Sequence, residues 1–234
     1  MGGVFVIIPA FNEGDRIART VAAARTIPSV CAVVVVDDGS ADDTASAAER
    51  AGATALRHAA NRGKAAAMQT GAAHISASDA LLLFLDGDLG DTAGEGAKLV
   101  EPVQRGDADM TIGTFPPRPG FKSGSLGFVV RLARWGVRAA TRQTVTTPLS
   151  GQRCLAAAAF VAALPLAPGF GVEIALTIDV LRAGYRVREV PTAMTHRVTG
   201  NDAASRLHRA RQGRDVLLAL LPRLLKGRAA AHNQ

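Results

Sequence analysis

Hydrophobic residues form two kinds of pattern along the first half of the chain. Segments at residues 4–11, 31–38, 54–58, 81–88 and 109–113 are predicted β-strands, and those at 4–11, 31–38 and 81–88 are continuously apolar until polar residues or a proline end them. Between them the apolar positions recur at helical spacing, which predicts helices at 14–27, 41–52 and 63–76 and one more before residue 109. Strands that are apolar on both faces and alternate with helices predict an α/β fold with a mainly parallel central sheet covered on both sides.

The pattern changes after residue 114. A segment rich in Pro and Gly, 114–125, predicts a loop, and a basic helix follows at about 125–142. Beyond it we predict a loop at 144–153, two helices, a short strand at 185–191 and a basic helical tail at 204–228 that Pro222 interrupts. A chain of 234 residues fits one α/β domain, so we treat 1–117 and 118–234 as two halves of a single domain.

Composition excludes several classes of protein. Hydrophobic residues make up 48% of the chain, which is enough for a full core and argues against disorder. No apolar run is long enough to span a bilayer, and the chain enters its first strand without a charged leader. The two cysteines, Cys31 and Cys154, lack metal-ligand spacing and are predicted to pack as reduced thiols. We therefore expect a cytoplasmic protein.

Charge is divided unevenly between the two halves. Residues 1–117 carry nine Lys/Arg against fifteen Asp/Glu, and residues 118–234 carry eighteen against five. This asymmetry favours a metal-and-ligand site in the first half and an anionic partner for the second. The alternative is a soluble surface whose charges are unevenly spread.

Polar residues follow three of the predicted strands, at 9–13, 37–40 and 86–88. Ligands of parallel α/β sheets bind beyond the carboxyl ends of the strands, so these segments predict a binding site. Asp86 and Asp88 are directed to one side across a glycine. Their hard oxygen ligands can hold a divalent cation, Mg²⁺ or Mn²⁺, and that cation can bridge a diphosphate.

Two further residues belong to this predicted site. Asp38 can hydrogen-bond a base and ribose, although a helix cap explains its segment equally well. Lys64 begins a predicted helix after a glycine, which is a natural position for a phosphate. The alternative for Lys64 is an ordinary solvated lysine.

Four segments, "IIPAFNE", "VVVVDDGSADDT", "NRGKAAAMQTG" and "LLLFLDGD", resemble in this order the family-two glycosyltransferases of the GT-A fold. The resemblance covers about residues 4–115. It implies transfer of a hexosyl group from a UDP- or GDP-sugar, with Asp86 and Asp88 at a divalent cation and Lys64 at the diphosphate. The other donor-site residues that it implies are Pro9, Ala10, Asn12, Glu13, Asp38 and Gly87.

The second half resembles a narrower group. "TPLSGQR" and the run from "GFGVE" to "VTGND" are similar to the polyprenyl-phosphate glycosyltransferases, such as the dolichyl-phosphate mannose synthases. "GFGVEIALTID" and "THR" also resemble the glucosyl-3-phosphoglycerate synthases, retaining enzymes in which a histidine completes the metal shell. That resemblance implies His196 as a third metal ligand, whereas a lone histidine after a strand is otherwise structural. The acceptor residues assigned in this half are Arg131, Ser150, Gly151, Arg153 and Arg197.

The acceptor decides what catalysis requires. A phosphate is already ionised and needs only arginines, such as Arg153 and Arg197, to position it. A hydroxyl needs a carboxylate base, for which Glu173 and Asp179 are available. Because Gln152 stands where the lipid-phosphate enzymes prefer an aromatic residue, two acceptors stay open: a polyprenyl phosphate, which we favour, and a small soluble phosphorylated acid. The catalytic candidates are Asp88, Glu173 and Arg153.

Arginines at positions 131, 134, 138 and 142 fall on one face of the predicted basic helix. No acidic residue occurs between Lys122 and Arg142. A stripe of one charge can receive a phosphate or rest on anionic lipid headgroups, while a solvated face is the alternative. We therefore expect peripheral attachment to the cytoplasmic membrane surface, and we leave a homodimer open.

Three rival classes explain less of the sequence. A nucleic-acid binder would account for the basic charge, but the chain has one Trp, one Tyr and no nucleic-acid motif. A sugar-phosphate nucleotidyltransferase needs a Gly-rich phosphate loop after the first strand, and "PAFNEGD" is not one. An inactive binding module has no reason to keep Lys64, Asp86 and Asp88 together.

Overall fold

The computed structural model describes residues 2–75, 77–115, 124–195 and 203–230; side chains are not described at 124–126, 203–211 and 226–230. The strands are β1 (Val4–Ala10), β2 (Val30–Asp37), β3 (Thr54–Arg57), β4 (Leu81–Phe84), β5 (Met110–Thr114), β6 (Arg153–Ala156) and β7 (Val187–Pro191). The helices are α1 (Gly14–Arg25), α2 (Thr44–Arg50), α3 (Lys64–His74), α4 (Ala97–Gln104), α5 (Gly124–Thr141), α6 (Ala157–Ala162), α7 (Val172–Arg182) and α8 (Ala203–Ala230).

All seven strands form one sheet in the order β3-β2-β1-β4-β6-β5-β7. Every pairing is parallel except those of β6, which runs antiparallel to both β4 and β5. The predicted α/β fold with a mainly parallel sheet is confirmed. β6 and β7 come from the second half of the chain and flank β5 from the first, so both halves contribute to the same sheet.

The antiparallel strand β6 is the element that the hydrophobic pattern missed. We expected a loop through residue 153, whereas β6 begins at Arg153 and pairs with β4 from Phe84 to Leu81. It is four residues long, starts with an arginine and continues directly into the alanines of α6. Its residues do not alternate between polar and apolar, and no turn separates it from the helix. Its strand conformation therefore comes from its position between β4 and β5.

The sheet is buried on both faces by two groups of side chains. Ile7 and Phe84 point into one apolar cluster, while Val6, Ile8 and Leu83 point into the other. This alternation within continuously apolar strands is what a sheet covered by helices on both sides requires.

Helix α8 runs without a break through Pro222, contrary to our prediction of an interrupted tail. Pro222 has no N–H, so the carbonyl of Leu218, one turn earlier, loses its helical hydrogen bond. Both residues are exposed. Water can satisfy that carbonyl, so the helix continues. Among the described helices, none is both long and apolar enough to cross a membrane.

The two cysteines differ in environment. Cys154 is buried between β4 and β5, and burial raises the pKa of its thiol. Cys31 is exposed near the start of β2, so our expectation of packing was wrong for this residue. The apolar residues after it bury the strand only from Val33 onward.

Candidate active site

A cleft of about 380 Å³ opens at the carboxyl ends of β1, β2 and β4. The chain passes from β1 to β2 on one side of β1, and β4 lies on the other, so this is the switch point of the sheet. The segments predicted from the polar strand ends therefore meet in one place. The cleft is lined by Pro9, Ala10, Phe11, Asp38, Asn61, Gly63, Lys64, Ala67, Asp86, Gly169, Phe170 and Glu173.

Lys64 is the central charge of the cleft. Its Nζ lies 2.7 Å from Asp86 Oδ1 and 2.9 Å from Glu173 Oε1, and about a third of the side chain is exposed. Burial alone would lower the pKa of Lys64, but the two carboxylates outweigh it and raise the pKa well above its ordinary value. The lysine is therefore held as a cation, together with one carboxylate from each half of the chain.

Asp86 is fixed from its other side by a buried glutamine. Gln152 Nε2 donates to Asp86 Oδ2 at 2.5 Å, and the Asp86 N–H donates to Gln152 Oε1 at 3.0 Å. Gly151 lies directly against this group, because a Cβ added there would come within 2.5 Å of Lys64 Nζ. Gly151, predicted as an acceptor residue, thus lies with its backbone against Lys64 and Asp86, and its role toward an acceptor stays a prediction. Gln152 contacts the same group and was not assigned from the sequence.

Asp38 is buried in the rim of the cleft and is already bonded to the protein. Its Oδ1 accepts from the Arg62 N–H at 2.9 Å and lies 2.6 Å from His58 Nδ1, and its Oδ2 accepts from the Gly63 N–H at 2.7 Å. These three contacts occupy most of the acceptor capacity of a carboxylate. A contact to base or ribose stays a prediction, with at most one acceptor site available for it.

Asp42, in the acidic turn after β2, bonds to the start of both neighbouring helices, while Asp43 pairs with Arg50. Asp42 accepts from the N–H groups of Gly14 and Thr44, the first residues of α1 and α2. Desolvation alone would raise the pKa of Asp42, but hydrogen bonds from the Thr44 hydroxyl and from these N–H groups outweigh it and hold the pKa below its ordinary value. Opposite this turn, Asn12 adopts a left-handed φ of 56° and accepts from the Ala41 N–H. The acidic turn thus braces the loop after β1.

Glu13 and Gly87 lie against each other at the edge of the cleft. A Cβ at Gly87 would lie 3.2 Å from Glu13 Cγ, and the Gly87 carbonyl accepts from Thr20 Oγ1 at 2.8 Å. The Glu13 N–H donates to Thr44 Oγ1 at 2.9 Å. Glycine between the two predicted metal-binding carboxylates therefore leaves room for the side chain of Glu13.

Asp88 lines a second, polar cleft of about 450 Å³ beside the first. Its backbone carbonyl accepts from Arg16 Nη1 at 3.4 Å, and Thr195 lies on the opposite wall. Within the described residues, no three His, Cys, Asp or Glu side chains form a group that could hold a metal ion. His196 and Arg197 lie outside the described residues, so the metal and acceptor roles expected of them stay predictions.

Arg153 has a different role from the one expected. The side chain is 0% exposed; it donates to the carbonyls of Ser150 and Pro148 at 2.8 and 2.9 Å and to Thr177 Oγ1 at 2.8 Å. Burial lowers the pKa of Arg153 to about 10, although Glu173 and other carboxylates partly oppose this. A guanidinium enclosed in this way holds the 148–150 loop and cannot contact an acceptor. Ser150 is itself buried in that loop.

The exposed face of α5 carries two of the four arginines predicted to share it, together with aromatic residues. Arg142 is not on this face, because α5 ends at Thr141 and Arg142 has a left-handed φ of 62°. Phe128 is 62% exposed and Trp135 is 58% exposed. On the same face, Arg131 lies between these two residues and Arg138 lies one turn beyond Trp135. Val129, Ala133 and Val137 form the opposite, buried face. We call Phe128, Arg131, Trp135 and Arg138 the α5 outer face. Arg134 points beside it and donates to the Thr146 carbonyl at 2.6 Å.

The mainly parallel α/β sheet with a polar cleft at its switch point is the architecture of the GT-A glycosyltransferases. The sequence model of glycosyl transferase family 2 matches residues 5–124, just over half of the chain. The chain belongs to glycosyl transferase family 2.

Two curated relatives indicate the range of this family. The glycosyltransferase AglJ of Haloferax volcanii is 29% identical over 227 residues, covering 94% of this chain and 71% of AglJ. An undecaprenyl-phosphate 4-deoxy-4-formamido-L-arabinose transferase of Edwardsiella ictaluri is 35% identical over 113 residues, 44% of this chain and 34% of that protein. The chain thus spans only about a third of the second relative.

Among solved structures, glucosyl-3-phosphoglycerate synthase of Mycobacterium tuberculosis in complex with Mg²⁺ and UDP is similar to nearly the whole chain. The TM-score is 0.79 at 26% identity, covering 95% of this chain and 79% of that one. The same enzyme in complex with Mn²⁺, UDP and phosphoglyceric acid gives a TM-score of 0.77 at 27% identity, covering 95% and 78%.

Proposed function

We propose that this protein transfers a hexosyl group from a UDP- or GDP-sugar to a phosphate-bearing acceptor, with a divalent cation. The observation that carries this proposal is the cation of Lys64, held by Asp86 and Glu173 at the start of α3 in the cleft. The departing nucleoside diphosphate is the species that gains negative charge in the reaction. A fixed cation at a helix N-terminus stabilises that charge as it develops.

Lys64 and the first turn of α3 would bind the diphosphate together. The first N–H groups of a helix have no acceptor within the helix, and the α3 dipole adds partial positive charge at the same point. Lys64 is the first residue of α3, so its ammonium and these N–H groups share one end of the cleft. Pro9 and Ala10 line the other side, where we place the nucleoside.

Asp86 and Asp88 would hold the divalent cation, which supplies Lewis-acid neutralisation of the diphosphate when bound. Carboxylate oxygens are the ligands that Mg²⁺ and Mn²⁺ prefer, and Asp88 borders an open polar cleft. The M. tuberculosis enzyme was crystallised with Mg²⁺ or Mn²⁺ and UDP, which supports the same cations here. With Asp86 paired to Lys64, Asp88 is the carboxylate we expect to contribute most.

For the acceptor we favour a polyprenyl phosphate. An ionised phosphate needs no general base, which suits a cleft whose acid, Glu173, is already paired with Lys64. The α5 outer face combines arginines with Phe and Trp, the combination that favours an anionic membrane surface. Similarity to undecaprenyl-phosphate transferases also supports a lipid phosphate.

A small soluble phosphorylated acid is the second candidate. The observation that favours it is the similarity of 95% of the chain to a synthase whose structure contains phosphoglyceric acid. A hydroxyl acceptor of this kind needs a general base. Glu173 lines the cleft and is our candidate, although its carboxylate would first have to separate from Lys64.

A two-stage experiment tests the function and separates the acceptors. Thermal unfolding with a panel of UDP- and GDP-sugars, with and without Mn²⁺, identifies the donor by its stabilisation. Transfer to undecaprenyl phosphate in detergent is then compared with transfer to 3-phosphoglycerate and with hydrolysis by water. Transfer to undecaprenyl phosphate alone supports the favoured acceptor, and transfer to the acid alone supports the second. No Mn²⁺-dependent stabilisation by any donor would contradict the proposed function.

Asp88→Asn and Asp91→Asn form a matched pair for the cation. Both residues border the second cleft, but Asp91 forms an exposed ion pair with Arg19. Asp88→Asn should abolish Mn²⁺-dependent nucleotide binding and Asp91→Asn should leave it nearly unchanged. Equal behaviour of the two variants would remove Asp88 from the cation site.

A further inference from the structure

A buried histidine lies behind the donor side of the cleft. His58 follows β3, and both nitrogens of its ring are engaged: Nδ1 lies 2.6 Å from Asp38 Oδ1, and Nε2 lies 3.0 Å from Thr70 Oγ1 on α3. A carboxylate oxygen can only accept, so Nδ1 carries the proton. The ring therefore links the residue after β2 to the helix that begins at the cleft.

Asp38 passes this restraint to the start of α3. Its two oxygens accept from the N–H groups of Arg62 and Gly63, the two residues before the helix. Gly63 has a left-handed φ of 87°, a conformation that turns the chain into α3. The next residue is Lys64, so the position of its ammonium depends on this turn.

We propose that His58 is a positioning residue of the donor site, acting through Asp38 on the turn that places Lys64. The inference rests on the donor role proposed for Lys64. Without a donor at Nδ1, the Asp38 carboxylate can rotate, and the Arg62 and Gly63 N–H groups lose a fixed acceptor. A shift of Lys64 by about 1 Å is enough to weaken its contact with a diphosphate.

Two amide replacements, each of which reproduces one ring nitrogen of histidine, separate this role from simple packing. In His58→Asn the amide nitrogen can take the place of Nδ1 and keep the Asp38 contact. In His58→Gln the amide takes the place of Nε2 and keeps only the Thr70 contact. Both variants fill less of the buried space than histidine, so thermal unfolding shows how far each is destabilised in general.

The readouts are hydrogen–deuterium exchange of residues 59–66, donor affinity and transfer kinetics. We expect His58→Gln to accelerate exchange at 59–66 and to raise the dissociation constant for the nucleoside diphosphate with Mn²⁺ about tenfold. The KM for the donor should rise similarly, while the KM for the acceptor should stay within about twofold of the parent's. His58→Asn should stay within about threefold of the parent in every donor measurement.

Several outcomes would overturn the proposal. Equal donor affinity in the parent and His58→Gln would do so, as would equal impairment of His58→Gln and His58→Asn. If the parent protein binds neither UDP nor GDP, the proposed function fails instead. Hydrogen exchange at 59–66 then decides by itself: faster exchange in His58→Gln than in His58→Asn supports the positioning role, and equal exchange overturns it.

Discussion

At the residue scale, the cleft is organised by one cation and two carboxylates that reach it from distant parts of the chain. Lys64 and Asp86 come from the family-matched half, and Glu173 comes from α7 in the other half. The raised pKa of Lys64 keeps the ammonium charged throughout the neutral range. Lys64 therefore stays an ammonium without a proton-transfer step, paired with two carboxylates.

Replacing the Lys64 ammonium should remove charge stabilisation of the leaving group. Lys64→Met keeps the length of the side chain, and we expect kcat to fall by about 10²–10³-fold, which is typical for loss of a group that stabilises developing charge. Steady-state transfer assays measure the effect. Lys98→Met is the control, because Lys98 pairs with Glu95 on the surface. A Lys64→Met variant with more than about a tenth of the parental kcat would contradict the assignment.

A methyl group at Gly151 should disturb the same cluster. Its Cβ would lie 2.5 Å from Lys64 Nζ and 2.8 Å from Asp86 Oδ1, so the ion pair has to move. We expect Gly151→Ala to cost about 1–3 kcal/mol of unfolding free energy, as overpacking does, and to lower donor affinity. Gly213→Ala is the control, since a Cβ there meets only Val129 at 3.7 Å. Urea unfolding compares them; equal stability of the two variants would argue against a tight contact at Gly151.

At the element scale, α8 buries Val216, Ala219 and Leu220 in the core, and a charged pair and a small-residue contact add to this attachment. Arg223 Nε donates to both carboxylate oxygens of Asp179 on α7, at 2.9 and 3.0 Å. Gly136 on α5 lies against Leu220, where a Cβ would not fit without moving that side chain. Asp179, considered from the sequence as a possible base, is therefore occupied in holding α8.

Loss of the Arg223 side chain should loosen α8. The pair is mostly buried, so Arg223→Ala leaves the Asp179 carboxylate without its main partner, and we expect a loss of about 1–3 kcal/mol in unfolding free energy. Denaturant unfolding and hydrogen exchange in 212–225 measure the effect. Arg214→Ala removes an exposed arginine from the same helix and should change stability by less than about 0.5 kcal/mol. Similar losses in both variants would mean that the pair does not anchor α8.

The Glu189 carboxylate holds the loop before β6 through Thr146 and Thr147, so acid should weaken this attachment. Burial alone would raise the pKa of Glu189, but hydrogen bonds from Thr147 and Thr146 outweigh it and hold the pKa below the ordinary 4.5. A lowered folded-state pKa stabilises the protein above the unfolded value, and that stabilisation is lost as pH falls through the folded value. Unfolding free energy should therefore fall below about pH 4.5, and less steeply in Glu189→Gln. Glu101→Gln, on the surface, should keep the parental dependence of unfolding free energy on pH. If Glu189→Gln keeps it too, Glu189 is not the group responsible.

At the scale of the whole molecule, the basic half presents a surface suited to anionic lipid. The α5 outer face has two aromatic side chains and two arginines, and α8 exposes Leu217, Leu218, Leu221 and Leu225. Each arginine near an anionic membrane contributes about 1 kcal/mol, and the attraction decreases with salt. Both features are consistent with an acceptor presented at a membrane surface.

Binding to vesicles tests this surface. The parent protein should bind vesicles that contain phosphatidylglycerol, with an affinity that decreases as salt rises, and should bind neutral phosphatidylcholine vesicles weakly. The double variant Arg131→Glu and Arg138→Glu should bind anionic vesicles at least about tenfold more weakly. Arg105→Glu, which changes an exposed arginine of the acidic half, is the charge control. Equal binding by the two variants would show that the α5 outer face is not the contact.

The sequence by itself determined the parallel part of the fold and one side of the cleft. Continuous apolar runs identify β1, β2 and β4 because these strands are buried on both faces, and the polar residues after them meet because parallel strands end at the same edge. Asp86 could therefore be named as a site residue before its contacts were known. Lys64 was named because it starts a helix after a glycine, and Glu173 because a hydroxyl acceptor would need a carboxylate base.

Tertiary structure decided which of these residues contact one another. Arg153 appeared to be an acceptor ligand, but the insertion of β6 between β4 and β5 buries it beneath the 148–150 loop. The same insertion brings Gln152 and Gly151 onto Asp86, although they are separated from it by more than sixty residues of sequence. Local patterns record periodicity and capping, whereas burial of a charge and the pairing of distant polar groups depend on how the sheet is assembled. That is why Lys64, Asp86 and Glu173 could be named from the sequence one by one, whereas their contacts with one another and with Gln152 could not be.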